Sequence, residues 1–306
     1  MFSGVSLGSA PTAEEIKQIS IYELPEEVAD EYETNFENDA SPRALEAVDE
    51  LQVVLIVDYS GSNLVKDYNP IDPSKMQGML KIKAEDLPAR MQESVKAEIQ
   101  GDYWRRWDSV FLIAKNMFDA MKSIDDDGEI PVYFFGNKVH KEVVSSKFKL
   151  LRAFKNKDHN PVNVEQTDLL LGLKTAIDDH QDAINAGNKI LFVVLTDGEP
   201  GTSRLGNTAQ ERAVQDLIET EISSKDPSGD RLNVFFVRVG DDNGAIKFLE
   251  RMDELGEGTT GPSVGKNVDT KSDNYVHKFG PKVALSNAIS EDYDRDPKYA
   301  ITEDLK

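Results

Sequence analysis

Leu51-Gln-Val-Val-Leu-Ile-Val-Asp-Tyr-Ser-Gly-Ser62 is the stretch on which the reading of this chain turns. Its first seven residues are apolar except for Gln52 and rich in β-branched side chains. The run is too short for an ordinary helix. A strand with one wet face would alternate apolar and polar residues. A strand buried on both faces, as in a parallel sheet, fits instead. The chain then passes at once into Asp58, Ser60 and Ser62, so a buried strand exits into a turn rich in oxygen donors.

Runs of the same kind recur. Residues 130–135 (IPVYFF), 189–195 (KILFVVL) and 232–239 (LNVFFVRV) read as buried strands, and 141–144 (KEVV), short and polar, as an edge strand. Helical patterns lie between them. Trp107, Val110, Phe111, Ala114, Met117, Phe118 and Met121 fall on one face at spacings of three and four. A second helix covers 169–177 and a fourth 245–255. The third opens at Thr208-Ala-Gln-Glu211, which has the form of a capping box, and continues through Val214, Leu217, Ile218 and Ile222. Strands alternating with helices predict an α/β fold, Rossmann-like and doubly wound, with a mostly parallel sheet flanked by helices.

Three segments depart from this rhythm. Residues 1–47 form an acidic N-terminal arm: residues 1–50 hold 13 acidic and 2 basic side chains, about half of the chain's net charge of −21. Residues 64–103 separate the first strand from the Trp107 helix where a few residues normally suffice, so they read as an insertion with a helix near 84–100. Residues 256–306 are polar and read as a C-terminal extension to a domain spanning 48–255.

Composition narrows the chemistry. There is no cysteine, so disulfides and thiolate metal sites are excluded. No run of apolar residues is long enough to span a membrane, and the N-terminus has no basic and apolar signal-like segment. The expectation is a cytoplasmic protein that binds neither nucleic acid nor anionic membrane, because its surface charge repels both.

The polar residues after the first strand meet counterparts elsewhere. The 189–195 run ends in Thr196-Asp-Gly-Glu-Pro200, and Glu165-Gln-Thr-Asp168 opens a helix. Both strand exits fall at carboxyl ends of parallel strands, where open α/β sheets bind ligands. Asp58, Ser60, Ser62, Thr167 and Asp197 offer only oxygen, which suits a hard cation, Mg²⁺ or alternatively Ca²⁺ or Mn²⁺. Few of these donors are charged, so such an ion keeps an attraction for an outside anion. The plainer readings are a strand-exit turn at Asp58–Ser62 and a simple helix cap at Thr167.

At these residues the chain resembles the von Willebrand factor A (VWA) family over about residues 48–255. The family's metal-ion-dependent adhesion site (MIDAS) is Asp-x-Ser-x-Ser, a Thr from a second loop and an Asp from a third; these fall on Asp58, Ser60, Ser62, Thr167 and Asp197. The resemblance implies that the two serines and the threonine touch the metal while the aspartates act largely through water and hydrogen bonds. It further implies a module that captures a carboxylate from a partner protein, not an enzyme. Residues 124–140 (IDDDGEIPVYFFGNKVH) narrow the likeness to bacterial cytoplasmic VWA proteins of the tellurium-resistance type, and the role expected is a bacterial or phage one, stress-related or in assembly. The insertion, the arm and the C-terminal segment have no counterpart there.

Other groups read more simply. Asp125-Asp126-Asp127-Gly128-Glu129 lacks the length of an EF-hand loop and reads as a solvated turn. His140, His159, His180 and His277 show no metal spacing, and Trp104 and Trp107 read as core. No phosphate-binding glycine loop is present. Two alternatives remain. One is an Mg²⁺-dependent hydrolase, against which Ser60 stands where a second carboxylate belongs. The other is a structural subunit whose metal only stabilises the fold. Acids of the arm (Glu23, Glu26, Glu27, Asp30, Glu31, Glu33) or of the tail (Glu291, Asp292, Asp294, Asp296) are candidates for self-association, ranked below an external partner.

Overall fold

The computed structural model describes residues 51–64, 106–154, 156, 166–201, 207–240, 242–254 and 267–289. All of them belong to the compact unit made of Phe36–Pro70 and Trp104–Lys306. The acidic arm 1–47, nearly all of the insertion 64–103, Trp104, His159 and the acids of the tail lie outside the described residues.

Six strands form one sheet in the order β3-β2-β1-β4-β5-β6. They are β1 (Leu51–Asp58), β2 (Ile130–Phe135), β3 (Val139–Val144), β4 (Lys189–Thr196), β5 (Leu232–Arg238) and β6 (Val268–Ser272). All neighbours pair in parallel except β3, which runs antiparallel to β2 at one edge. The four apolar runs, β1, β2, β4 and β5, are the strands with neighbours on both sides. β3 alternates between partly buried and exposed residues, as an edge strand does.

The two faces of β1 serve two helical layers. Val54 and Ile56 join Tyr133, Phe135, Phe192, Val194 and Phe236 in a core packed beneath α3 (Leu169–Asp179), the short α4 (Gln181–Ala186), α5 (Asn207–Ile218) and α6 (Asn243–Glu254). The opposite face is covered by α1 (Arg106–Ile124) and α8 (Pro281–Ile289). On α1 the predicted apolar face is buried: Val110, Phe111, Ala114, Met117, Phe118 and Met121 are closed to solvent. Trp107 packs against Phe134 and Phe154, the latter from α2 (Lys147–Phe154), a short helix the sequence pattern did not announce. The architecture is a doubly wound α/β sandwich, as expected.

Two regions differ from the sequence reading. Residues assigned to a C-terminal extension contain the sixth strand, β6, followed by α7 (Asp273–Phe279) and α8. Their polar look has a cause: β6 is a terminal strand of the sheet, and its Asp269 and Lys271 bury much of their length as an ion pair with N–O 2.8 Å. The second difference is at α5. Its helical residues already include Asn207, one before the expected Thr208 cap. Glu211 does not fold back on that cap; its carboxylate accepts hydrogen bonds from Arg251 on α6 at 2.5 and 2.7 Å. The helix then widens into a π-turn at Glu219–Ser223, which still buries Ile222.

Candidate metal centre

In this strand order the chain moves to one side of β1 through β2 and β3, and to the other through β4, β5 and β6. The carboxyl ends of β1 and β4 therefore flank the point where the winding reverses, the place where open α/β sheets bind ligands. Register puts Val57 beside Leu195, so Asp58 and Thr196 leave the sheet as neighbours. Thr196 Oγ1 donates to Asp58 Oδ2 at 2.8 Å, tying the two strand ends together.

After Asp58 the backbone turns sharply. The Ser60 amide donates to Asp58 Oδ1 at 2.8 Å, and a 3₁₀ turn follows at Gly61–Leu64. Asn63 closes the turn: its amide donates to the Ser60 carbonyl at 3.1 Å and its Nδ2 to the Asp58 carbonyl at 3.1 Å. This folding brings the hydroxyls of Ser60 and Ser62 within 2.8 Å of each other. The Ser62 hydroxyl in turn donates to Asp197 Oδ1 at 2.9 Å, across 135 positions of sequence. Four of the five residues singled out from sequence thus stand in one hydrogen-bonded chain.

Thr167 arrives by a third route. Its amide and carbonyl exchange hydrogen bonds with those of Gly201, both 3.1 Å, so the loop before α3 is laced to the loop after β4. Asp168 caps α3 by accepting from the Leu171 amide at 3.1 Å. The bland reading of Thr167 as the cap itself therefore fails, because the neighbouring aspartate does that work. Gly198 lies between the loops. A Cβ there would stand 3.6 Å from Ser62 Oγ and 3.8 Å from Thr167 Oγ1, so a missing side chain keeps open a space that both hydroxyls border.

The electrostatics favour a cation in this space. Asp58 and Asp197 are fully buried, while Ser62 and Thr167 are partly open to solvent. Burial pushes the Asp58 carboxyl above the ordinary range, against hydrogen bonds from the Ser60 side chain and backbone, the Thr196 hydroxyl and the Asp197 backbone. No basic side chain is among those influences. Two buried carboxylates beside neutral hydroxyls suit a divalent ion that compensates their charge. The donor set is all oxygen, so the residues present fit a hard cation.

The remaining sequence candidates behave differently. Asp125, Asp126 and Asp127 can bring one carboxylate oxygen each within 4.8 Å of one another. Asp125 is engaged structurally: Oδ1 accepts from the Val53 amide and Oδ2 from the Gly128 amide, both at 2.8 Å. It thereby serves β1 below the point where β2 begins to pair. Burial, together with the charges of Asp127 and Asp126 and against the Val53 hydrogen bond, pushes its carboxyl up to about 6. His180 hydrogen-bonds the Ala176 carbonyl at 2.8 Å and packs edge-on to Tyr133 and Phe192, and burial lowers its pKa. His140 sets its ring edge against Tyr59. Sequence reasoning passed over Thr196 and Asn63 as parts of the centre. Both sit within five residues of the motif aspartates, and a signal existed in their place at the strand exits.

The sheet order, the antiparallel β3 edge and the loops at the winding reversal decide the fold. It is VWA-like. No family model matches the chain, and no curated protein matches it by sequence. Among solved structures, an aerotolerance-related membrane protein from Bacteroides fragilis is 15% identical, with 63% of this chain and 69% of that chain covered and a TM-score of 0.38. A membrane-spanning protein from Vibrio fischeri is 16% identical over 62% of this chain and 71% of its own, with a TM-score of 0.29. The pilus adhesin SpaC from Lactobacillus rhamnosus GG is 14% identical over 81% of this chain and 30% of its own, with a TM-score of 0.40. Among the described residues, no helix of this chain is long and apolar enough to cross a membrane.

Proposed function

We propose that this chain is a protein-binding module whose VWA-like domain holds one divalent cation, Mg²⁺ or alternatively Ca²⁺ or Mn²⁺, and captures a carboxylate of a partner protein. Asp58, Ser60, Ser62, Thr167 and Asp197 hold the ion. The observation that carries the reading is the hydrogen-bonded run from Ser60 through Ser62 to Asp197, assembled beside the buried Asp58 at the winding reversal. Asp58 and Asp197 bring the negative charge, and the three hydroxyls bring neutral oxygen. A cation bound there supplies a position of incompletely neutralised positive charge for an anionic group from outside.

The protein's part is preorganisation. Asp58 and Thr196 stand on rigid strand ends, the 3₁₀ turn aims Ser60 and Ser62, and the Thr167–Gly201 bridge fixes the third loop. An acidic partner meets a surface of net charge −21. That repulsion is screened beyond about 8 Å at physiological salt, whereas contact at the ion is short-ranged and much less screened. The resemblance to tellurium-resistance proteins supports a cytoplasmic setting and a bacterial or phage role, stress-related or in assembly, with catalysis absent.

The test is a panel of paired peptides, identical except that one member carries Glu where the other carries Gln. The immobilised full chain should retain Glu peptides in MgCl₂, release them in EDTA and ignore the Gln partners. Equal retention of both members, or retention indifferent to EDTA, would sink the proposal. Turnover of a generic phosphoester in MgCl₂, abolished in Asp58→Ala, would establish the hydrolase reading instead.

A further inference from the structure

The first turn of α5 carries Asn207, Gln210 and Glu211, and each reaches a different neighbour. Asn207 Nδ2 donates to Glu199 Oε2 at 2.8 Å. Gln210 Nε2 donates to Asp168 Oδ1 at 2.9 Å. Glu211 receives Arg251. Residues three apart share a helix face, so Asn207 and Gln210 together span the loops that carry Asp197 and Thr167. The gap at Gly201 suits this arrangement: a Cβ there would lie 3.2 Å from Asn207 Cγ and closer still to its Oδ1.

Gln210 is the member whose presence needs explaining. It is 1% exposed, and its Oε1 has no hydrogen-bond partner among the described residues. A buried amide oxygen left unpaired is costly, and a position needed only for packing would be better served by Met or Leu. The amide nitrogen is what this position uses. Asp168 Oδ1 receives two donors, the Leu171 amide from its own helix and Gln210 from another. The first bond sets the start of α3. The second anchors that start to α5, and Thr167 is the residue immediately before.

We propose that Gln210 is a positioning residue for the metal centre: through Asp168 it fixes the start of α3 and with it the placing of the Thr167 hydroxyl. This inference rests on the metal-binding reading above. The Gln210 amide donates to Asp168, which is not one of the five candidate ligands. Its effect is that of a supporting hydrogen bond, whose loss typically lowers metal affinity by about 10–100-fold.

The experiment uses the full chain and the variants Gln210→Met and Asp168→Ser. Methionine keeps the length and removes the amide. Serine still caps a helix, but its side chain is one bond shorter than aspartate and gives up the bond to Gln210. Mg²⁺ affinity is measured by calorimetry, the unfolding midpoint in EDTA, and amide hydrogen exchange at Leu171 and Gly201 in EDTA. Each variant is expected to weaken Mg²⁺ binding by about tenfold or more. Gln210→Met should keep the EDTA midpoint at or above that of the parent while exchange at Leu171 and Gly201 accelerates. The double variant should bind as each single one does, because both remove the same contact. Unchanged affinity and exchange in Gln210→Met overturn the proposal, as do losses in the two variants that multiply in the double. A parent chain that binds no divalent ion overturns the metal reading and this inference with it. A parent that binds normally alongside an unaffected Gln210→Met overturns this inference alone.

Discussion

Gly172→Ala is the substitution in which the packing that supports the site is most exposed to test. Gly172 lies on the buried face of α3 against β2, and a Cβ there would stand 2.7 Å from Cβ and Cγ of Phe135 and 3.0 Å from Cδ1. Carbon atoms pack comfortably at about 3.5–4.0 Å, so α3 must retreat by roughly 1 Å or the Phe135 ring must leave its position. The nearest atoms are Cβ and Cγ, at the root of a Phe135 side chain that is fixed to a strand with 0% exposure, so the neighbour has little room to yield. Overpacking of this kind costs about 1–3 kcal/mol. Alanine's better helix propensity returns about 1 kcal/mol. The net expectation is destabilisation of up to about 2 kcal/mol, read as a lowered urea midpoint at unchanged slope. Because α3 begins one residue after Asp168, Mg²⁺ affinity should fall as well. A variant about 1 kcal/mol more stable than the parent, the result of propensity acting alone, would show that α3 does not rest on Phe135 as described.

Two further outcomes follow from interactions away from the centre. Arg251→Ala leaves the Glu211 carboxylate, largely buried at 10% side-chain exposure, without its bidentate partner; Arg251 itself is 42% exposed, so after allowance for screening the loss of stability is about 1 kcal/mol by urea unfolding. Asp125, with its carboxyl pushed up to about 6 in the folded protein, binds its proton more tightly there than in the unfolded chain, where the ordinary value is 3.8. Its contribution is therefore full below about pH 4 and is lost as pH rises through 6. The stability difference between the parent and Asp125→Asn should shift against the parent by about 1 kcal/mol between pH 4 and pH 7, allowing for partial solvent exposure. A difference that does not vary with pH would contradict this.

What was legible in the sequence was legible for physical reasons. Leu51–Asp58 had to be a two-sided buried strand because its apolar residues do not alternate, and it lies between β2 and β4. The oxygen-rich turns were visible because they begin where those apolar runs stop. The polar strand β6 was not, since Val268, Thr270 and Ser272 alternate with Asp269 and Lys271, which neutralise each other only once folded. A helical signal did exist just beyond it: Val283, Ala284, Leu285 and Ala288 are all buried. Glu211 looked like half of a capping box because that motif is local, whereas its true partner lies 40 residues away. Gln210 gave no sequence signal at all. Its role depends on a contact with Asp168 that only the packing of α5 beside α3 creates.

The central claim is tested most directly by unfolding the chain across a titration of MgCl₂, side by side with Asp58→Ala and Ser62→Ala. The account predicts that the parent gains stability with ion concentration, by about 2.7 kcal/mol at 100 times the dissociation constant. It predicts that Asp58→Ala gains none, and that Ser62→Ala, which removes one partly exposed hydroxyl, needs a markedly higher concentration for the same gain. The same titration curve in all three proteins, or no gain in the parent with Mg²⁺, Ca²⁺ or Mn²⁺, would contradict it.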